Sequence, residues 1–363
     1  MRLAWSSFAS VFQKELIHIR RDRSTLGLAV MLPLFQLILF GFIDLTVHDL
    51  PTVVVDQSRT TESRLLMDQL RASKTFRIDR VMQDASAARD EIIAGRARIA
   101  VVVPPDFAQR KLGGQTADVL VLIDGSESNA GAQALASVNG LFAAKNGPRA
   151  TYAAHPIIMF NPAGRTANYI IPGLVAVLLQ LVAVVLSSMS IVRERERGTL
   201  EQLLVTPIRP LGLVLGKLLP YLLLGIVEAA LIIAIMRFGF RVPINGSLAF
   251  LFATALVYTF SLLALGLFIS TIAQTQSAAL QLGQLLLLPS IFLSGYIFPA
   301  EGLPTVLRVA GQFMPATHMI AIMRGVVLRG AAPAQLTSHV LVLLLMSIVL
   351  VAVSTRRFKK VSL

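Results

Sequence analysis

Apolar runs at 169–192, 214–236, 248–270, 278–298 and 338–355, with an earlier one from Thr25 to Ile43, are each long enough to cross a bilayer as a helix. Nothing in the chain is more constraining. Backbone in hydrocarbon must satisfy its own hydrogen bonds, so such runs have to be helical. Only 15% of the residues are charged and 55% are hydrophobic, whereas soluble domains carry about a quarter charged residues. The sequence predicts an α-helical polytopic membrane protein with six transmembrane helices.

Between the first run and the second lies an insertion, residues 47–168, with the composition of a soluble domain. It holds 14 Lys or Arg against 12 Asp or Glu, so most of the formal charge of +13 sits beside the membrane runs and is no signature of nucleic-acid binding. β-Branched runs at Thr52 to Asp56, Ile99 to Val103 and Val119 to Asp124 read as strands. Helical stretches at Thr61 to Ser73, Ala85 to Gly95, Asp106 to Lys111 and Asn129 to Lys145 alternate with them, which predicts an inserted α/β domain. Gly113-Gly114 reads as a helix end and turn.

The remaining segments follow from charge. Residues 1–24 place Trp5, Phe8, Phe12 and Leu16 among Lys14, Arg20 and Arg21, an amphipathic interfacial helix, and 25–46 hold a retained first span. With the N-terminus inside, cytoplasmic loops and tails, including the basic tail 356–363, hold fourteen Lys or Arg against five in the short outer loops, Arg237, Arg241, Arg308, Arg324 and Arg329. That orientation places both termini in the cytoplasm and the 47–168 domain outside. Prolines 299, 304, 315 and 333 interrupt residues 299–337, where Val306 to Phe313 and Thr317 to Leu328 look like short helices re-entering the outer leaflet.

One inward-facing segment, 193–209, is unusually polar: Arg193-Glu194-Arg195-Glu196-Arg197-Gly198-Thr199-Leu200-Glu201-Gln202-Leu203-Leu204-Val205-Thr206-Pro207. It reads as a loop leading into a short helix. Thr199 and Gln202 have the spacing of a capping box, Glu201 suits the first turn, and Pro207 ends it. Leu200, Leu203 and Leu204 share one face. That face lies either on lipid headgroups or on a protein.

Within the spans, Glu228 is an ionisable group at membrane depth. It either recognises a cation in a translocation path or hydrogen-bonds a neighbouring helix as the neutral acid. Gln180 and Gln284 either bridge helices or contact substrate; Gln36 and Gln281 are similar amides. Cysteine is absent, the histidines show no ligand spacing, and no nucleophile triad or G-x-x-x-x-G-K-[ST] loop occurs. No enzyme chemistry, metal or cofactor is expected on this chain.

The stretch from Arg193 to Pro207 resembles the charged loop and coupling helix of ABC-2 type transporter permeases. The resemblance extends to Phe160-Asn161-Pro162, to Tyr169-Ile170-Ile171-Pro172-Gly173, and to the run from Leu288 through Ser294-Gly295-Tyr296-Ile297 to Pro299. The insertion after the first span is similar to that of the bacterial multidrug-export branch. This resemblance implies a permease of the bacterial inner membrane that pairs with a second copy of itself or a related permease, and with a separate cytoplasmic ATPase that binds the ATP. A periplasmic adaptor is a further partner it allows. It also implies that Leu200, Leu203 and Leu204 dock on the ATPase, that Glu194, Glu196 and Glu201 are polar partners, that Arg193 and Thr199 belong to the same coupling segment, and that Gly198 supplies the bend. Efflux of small hydrophobic or cationic compounds such as drugs is the function implied; a lipid or polysaccharide exporter is an alternative within the family. An ion-driven secondary transporter using Glu228, or a sensor whose outer domain binds a ligand, are alternatives outside it.

Overall fold

The computed structural model describes residues 49–73, 75–126, 128–145, 152–163, 165–198, 210–297, 300 and 303–361. The expected interfacial helix 1–24, the first span 25–46 and residues 199–209 lie outside these.

Strands β1 (Leu50–Asp56), β2 (Phe76–Met82), β3 (Ile99–Val103), β4 (Ala117–Asp124) and β5 (Tyr152–Met159) form one sheet in the order β2-β1-β3-β4-β5. Neighbours run parallel except β3 and β4, where Ile99 faces Ile123. Helices α1 (Thr61–Ala72), α2 (Ala85–Ile93), α3 (Phe107–Leu112) and α4 (Ser128–Lys145) connect them. Side chains alternate across the sheet. Val54, Val101, Val103 and Val121 meet Leu66 and Leu70 of α1, Phe107 of α3 and Val138 of α4, while Val53, Val55, Ala100 and Val102 meet Ala88 and Ile92 of α2. Burial on both faces explains why the central strands are near-continuous apolar runs.

The two edge strands escape the sequence reading for the opposite reason. In β2 only Phe76 is buried and Arg77, Asp79 and Arg80 alternate along it; β5 carries Pro156, which lacks a ladder donor and is tolerated at an edge. Gly114, at φ +69, takes the left-handed turn after α3.

Among the described residues five helices are long and apolar enough to cross a membrane. They are α5 (Thr166–Glu196), α6 (Pro210–Ala234, continued by a π-helical turn Ile235–Gly239), α7 (Leu248–Ile272), α8 (Gln276–Leu293) and, after an intervening region, α11 (Pro333–Val361). The last of these carries the expected basic tail as a continuation of its helix, Arg356 and Arg357 included. Contacts between spans run through small residues, as apolar association in lipid requires close backbone approach. A side chain at Gly266 of α7 would collide with the Val184 carbonyl and the Ser187 hydroxyl of α5, and one at Gly225 of α6 with Thr259 of α7. Ser261 of α7 bonds Ser347 of α11 at 2.5 Å.

Two short helices separate α8 from α11. In α9 (Thr305–Gln312) Val306 and Val309 are exposed, as is Phe313 just beyond it. In α10 (Pro315–Arg324), by contrast, Ala316, Met319, Ile320, Ile322 and Met323 are all buried, in the same core as Leu179 of α5 and Leu262 of α7. A π-helical turn, Gly325–Arg329, follows α10.

Candidate functional site

The longest helix among the described residues, α5, carries residues of the quoted motifs at both ends. At its start, Asn161 accepts from the Arg165 amide at 3.1 Å and from the Asn168 side chain at 3.1 Å, and donates to the Arg165 carbonyl. Phe160 adopts φ +66, an uncommon conformation for an aromatic residue, and packs against both the membrane-helix core and the α2 face of the sheet. Next, the Tyr169 hydroxyl lies 3.3 Å from the Tyr296 and Ile297 carbonyls, and the Tyr296 ring covers Gly173 so closely that a Cβ there would overlap it. Arg324 completes the assembly. Its guanidinium donates to Gly295 O at 3.0 Å and Tyr296 O at 3.1 Å, and lies 4.6 Å above the Tyr169 ring. Of the three motifs quoted above besides the charged stretch, the second and third thus meet around an arginine of the short outer loops, and Asn161 of the first is bonded to Asn168 beside them.

The other end carries the charged stretch. Residues 193–196 are helical rather than a loop, because Arg and Glu are good helix formers and nothing stops the span at Val192. The stop comes at Gly198, which takes φ +71 two residues beyond Glu196. Arg193 and Glu196 are exposed and Glu194 is half-buried. Thr199, Leu200, Glu201, Leu203 and Leu204 fall outside the described residues. Arg195 donates to the Ala273 carbonyl at 2.6 Å, and Glu196 accepts from the Gln276 backbone amide at 2.8 Å and from the Gln276 side chain. Neither partner was legible beforehand, since Gln276 lies 80 residues downstream.

The expected translocation residues do not share one site. Gln180 is buried and accepts from Ser290 Oγ at 2.8 Å, tying α5 to α8; the nearby Tyr258 hydroxyl has its shorter bond to Ala176 O at 3.0 Å. Gln180 also lines a cavity of about 500 Å³ with Leu265, Leu286, Met314, Met346 and Leu350, a lining without charge. Neither Glu228 nor Gln284 borders it. Gln284 is exposed on α8; Glu228 is half-buried on α6, with no hydrogen-bond or ion-pair partner among the described residues. His318 and His339, far apart in sequence, meet with Nδ1 atoms 3.1 Å apart, and His318 turns Nε2 to the Gln312 carbonyl. Among the described residues no group of three or more metal-ligating side chains forms.

The sheet domain and the membrane helices are joined through charge. Asp124, fully buried at the end of β4, accepts from Arg98 at 2.9 Å, lies 3.6 Å from Arg329 and takes the Ser126 amide at 2.9 Å. Burial alone would raise its carboxyl, but the two guanidinium groups and Ser126 outweigh that and hold it below the usual range. Gly95, at φ +74, passes directly over the Arg329 guanidinium, where a Cβ would lie 2.6 Å from Nη1.

Comparison with known proteins accords with this arrangement. A family model described as "ABC-2 family transporter protein" matches residues 23–356. YbhS of Escherichia coli, a probable multidrug ABC transporter permease, is 33% identical over 99% of this chain and 98% of its own length. YbhR of the same organism, described in the same words, is 28% identical over 89% and 90%. ABC transporter G family member 20 of Dictyostelium discoideum is 30% identical over 48% of this chain and 24% of its own length. No solved structure matches. With a match to the family model along nearly its whole length, this multi-pass membrane chain belongs to the ABC-2 family of transporter permeases.

Proposed function

We propose that the chain is the membrane subunit of an ATP-driven exporter, coupled through residues 193–209 to a separate cytoplasmic ATPase. The observation that carries this reading is the end of α5: a span that continues as a charged helix and stops at a left-handed glycine, directly before the sequence Thr199 to Pro207, whose spacing predicts a capped helix with one leucine face. The chain has no ATP-binding loop of its own, so that face supplies the contact with the motor. Two such permeases enclose the path, with both termini and the charged end in the cytoplasm and the sheet domain outside. The uncharged cavity beside Gln180 favours hydrophobic cargo, and the multidrug description of YbhS and YbhR accords with small hydrophobic or cationic compounds.

Leu203→Asp combined with Leu204→Asp is expected to leave the permease in the membrane and release the ATPase on purification in mild detergent. Recovery of a stoichiometric, active ATPase with this variant would refute the docking role. An ion-driven transporter is the competing reading, since Glu228 has no partner among the described residues. Proteoliposomes separate the two: export that needs ATP and the ATPase and persists without an ion gradient supports the exporter. Glu228→Gln then tests cation recognition, and unchanged export of every cationic compound tried assigns the residue to helix packing.

A further inference from the structure

Two adjacent residues at the charged end of α5 match, in sign and position, the two helix ends that meet in the turn beside them. Ala273 is the last residue of the α7 cap and Gln276 the first residue of α8. A helix C-terminus exposes unpaired carbonyls and partial negative charge, an N-terminus unpaired amides and partial positive charge. Arg195 puts a cation on the first at 2.6 Å; Glu196 puts an anion on the second at 2.8 Å, and its other oxygen takes the Gln276 side chain. Beneath these bonds Val192 packs on Ala273 and Ala279, and Thr275 caps α8 by accepting from the Ala278 amide. The turn is therefore built as one piece and fastened to α5 from above and below.

We infer that Arg195 and Glu196 are positioning residues that transmit movement of the 199–209 segment to the α7–α8 turn, and that Glu196 serves as a hydrogen-bond acceptor within the permease instead of a charged contact to the ATPase. This rests on the coupling role proposed above. Only Arg197 and Gly198 separate the clamp from that segment, so a pull on it reaches α5, α7 and α8 together. Both oxygens of Glu196 are engaged with Gln276, an arrangement an amide can reproduce: a glutamine at 196 accepts from the backbone N–H and donates to a flipped Gln276 side chain. Charge is dispensable to the clamp and would be essential to an ion pair with the ATPase.

The test compares the whole complex with wild-type permease, Glu196→Ala and Glu196→Gln, reading ATPase recovery on purification and transport per ATP hydrolysed in proteoliposomes. Glu196→Ala is expected to keep the ATPase at wild-type stoichiometry and to lower transport per ATP by about tenfold; Glu196→Gln is expected to restore it to near wild type. Arg195→Ala should resemble Glu196→Ala, and adding it to Glu196→Ala should cost little more, since either removes the same fastening. If Glu196→Ala or Glu196→Gln instead sheds the ATPase, Glu196 is a docking contact and the clamp is wrong. Unaltered transport per ATP in Glu196→Ala also overturns it. Failure of the coupling role itself looks different: the wild-type permease would then transport without the ATPase.

Discussion

The two ends of α5 are held in opposite ways. The end next to the sheet is fastened by buried groups: Arg324 on two carbonyls and the Tyr169 ring, Tyr296 against Gly173, and Asn161 on the first turn. The charged end is fastened by Arg195 and Glu196, half-buried and exposed respectively, on a turn of two neighbouring helices. Buried polar bonds are expensive to leave unmade, whereas exposed ones exchange with water at little net cost. A lever has one fixed end and one working end, and α5 has the chemistry of both.

Substitutions at the fixed end should act mainly on stability. Arg324→Ala leaves the Gly295 and Tyr296 carbonyls without this donor and is expected to cost about 3 kcal/mol, seen as a lower thermal midpoint in detergent. If the midpoint is unchanged, the contrast between the ends fails. Asp124→Asn, which leaves Arg98 and Arg329 facing a neutral group, should cost slightly less, about 2 kcal/mol. It carries a pH signature. The folded carboxyl is depressed relative to the unfolded chain, so its contribution is complete above the ordinary Asp range near pH 4 and is lost as pH falls through the folded value. Limited proteolysis of the sheet domain between pH 6 and pH 3 should therefore sensitise the wild-type protein more steeply than Asp124→Asn. Gly173→Ala comes next, at about 1 to 2 kcal/mol from overlap with the Tyr296 ring, and Tyr296→Leu in the same chain should recover part of it. Smallest is Glu196→Ala at the working end: its thermal midpoint should match wild type even though transport changes. A midpoint drop comparable to Arg324→Ala would make both ends structural.

Much of the architecture was legible because burial imposes patterns. The apolar spans and the β-branched runs of β1, β3 and β4 announce themselves. What was hidden is what burial does not pattern. β2 and β5 lie at sheet edges, one charged and one carrying a proline. Arg324 and Arg329 read as loop charges, yet both are buried, since their partners are carbonyls and a carboxylate brought from other elements. Arg193 to Glu196 read as a loop because a run of charge beside an apolar span suggests a break, yet Arg and Glu favour helix and the helix runs through them. The pairing of Glu196 with Gln276 spans 80 positions and leaves no local trace.

The same separation in sequence governs how the protein is made. Tyr169 must wait 127 residues for the Tyr296 carbonyl, and both wait for Arg324, so α5, α6, α7 and α8 are all synthesised before their shared fastening exists. A chain that terminates before Arg324 holds every earlier span but never closes the assembly. Such a product lacks the Arg324 donor to the Gly295 and Tyr296 carbonyls, a bond that exists only once α10 has been made.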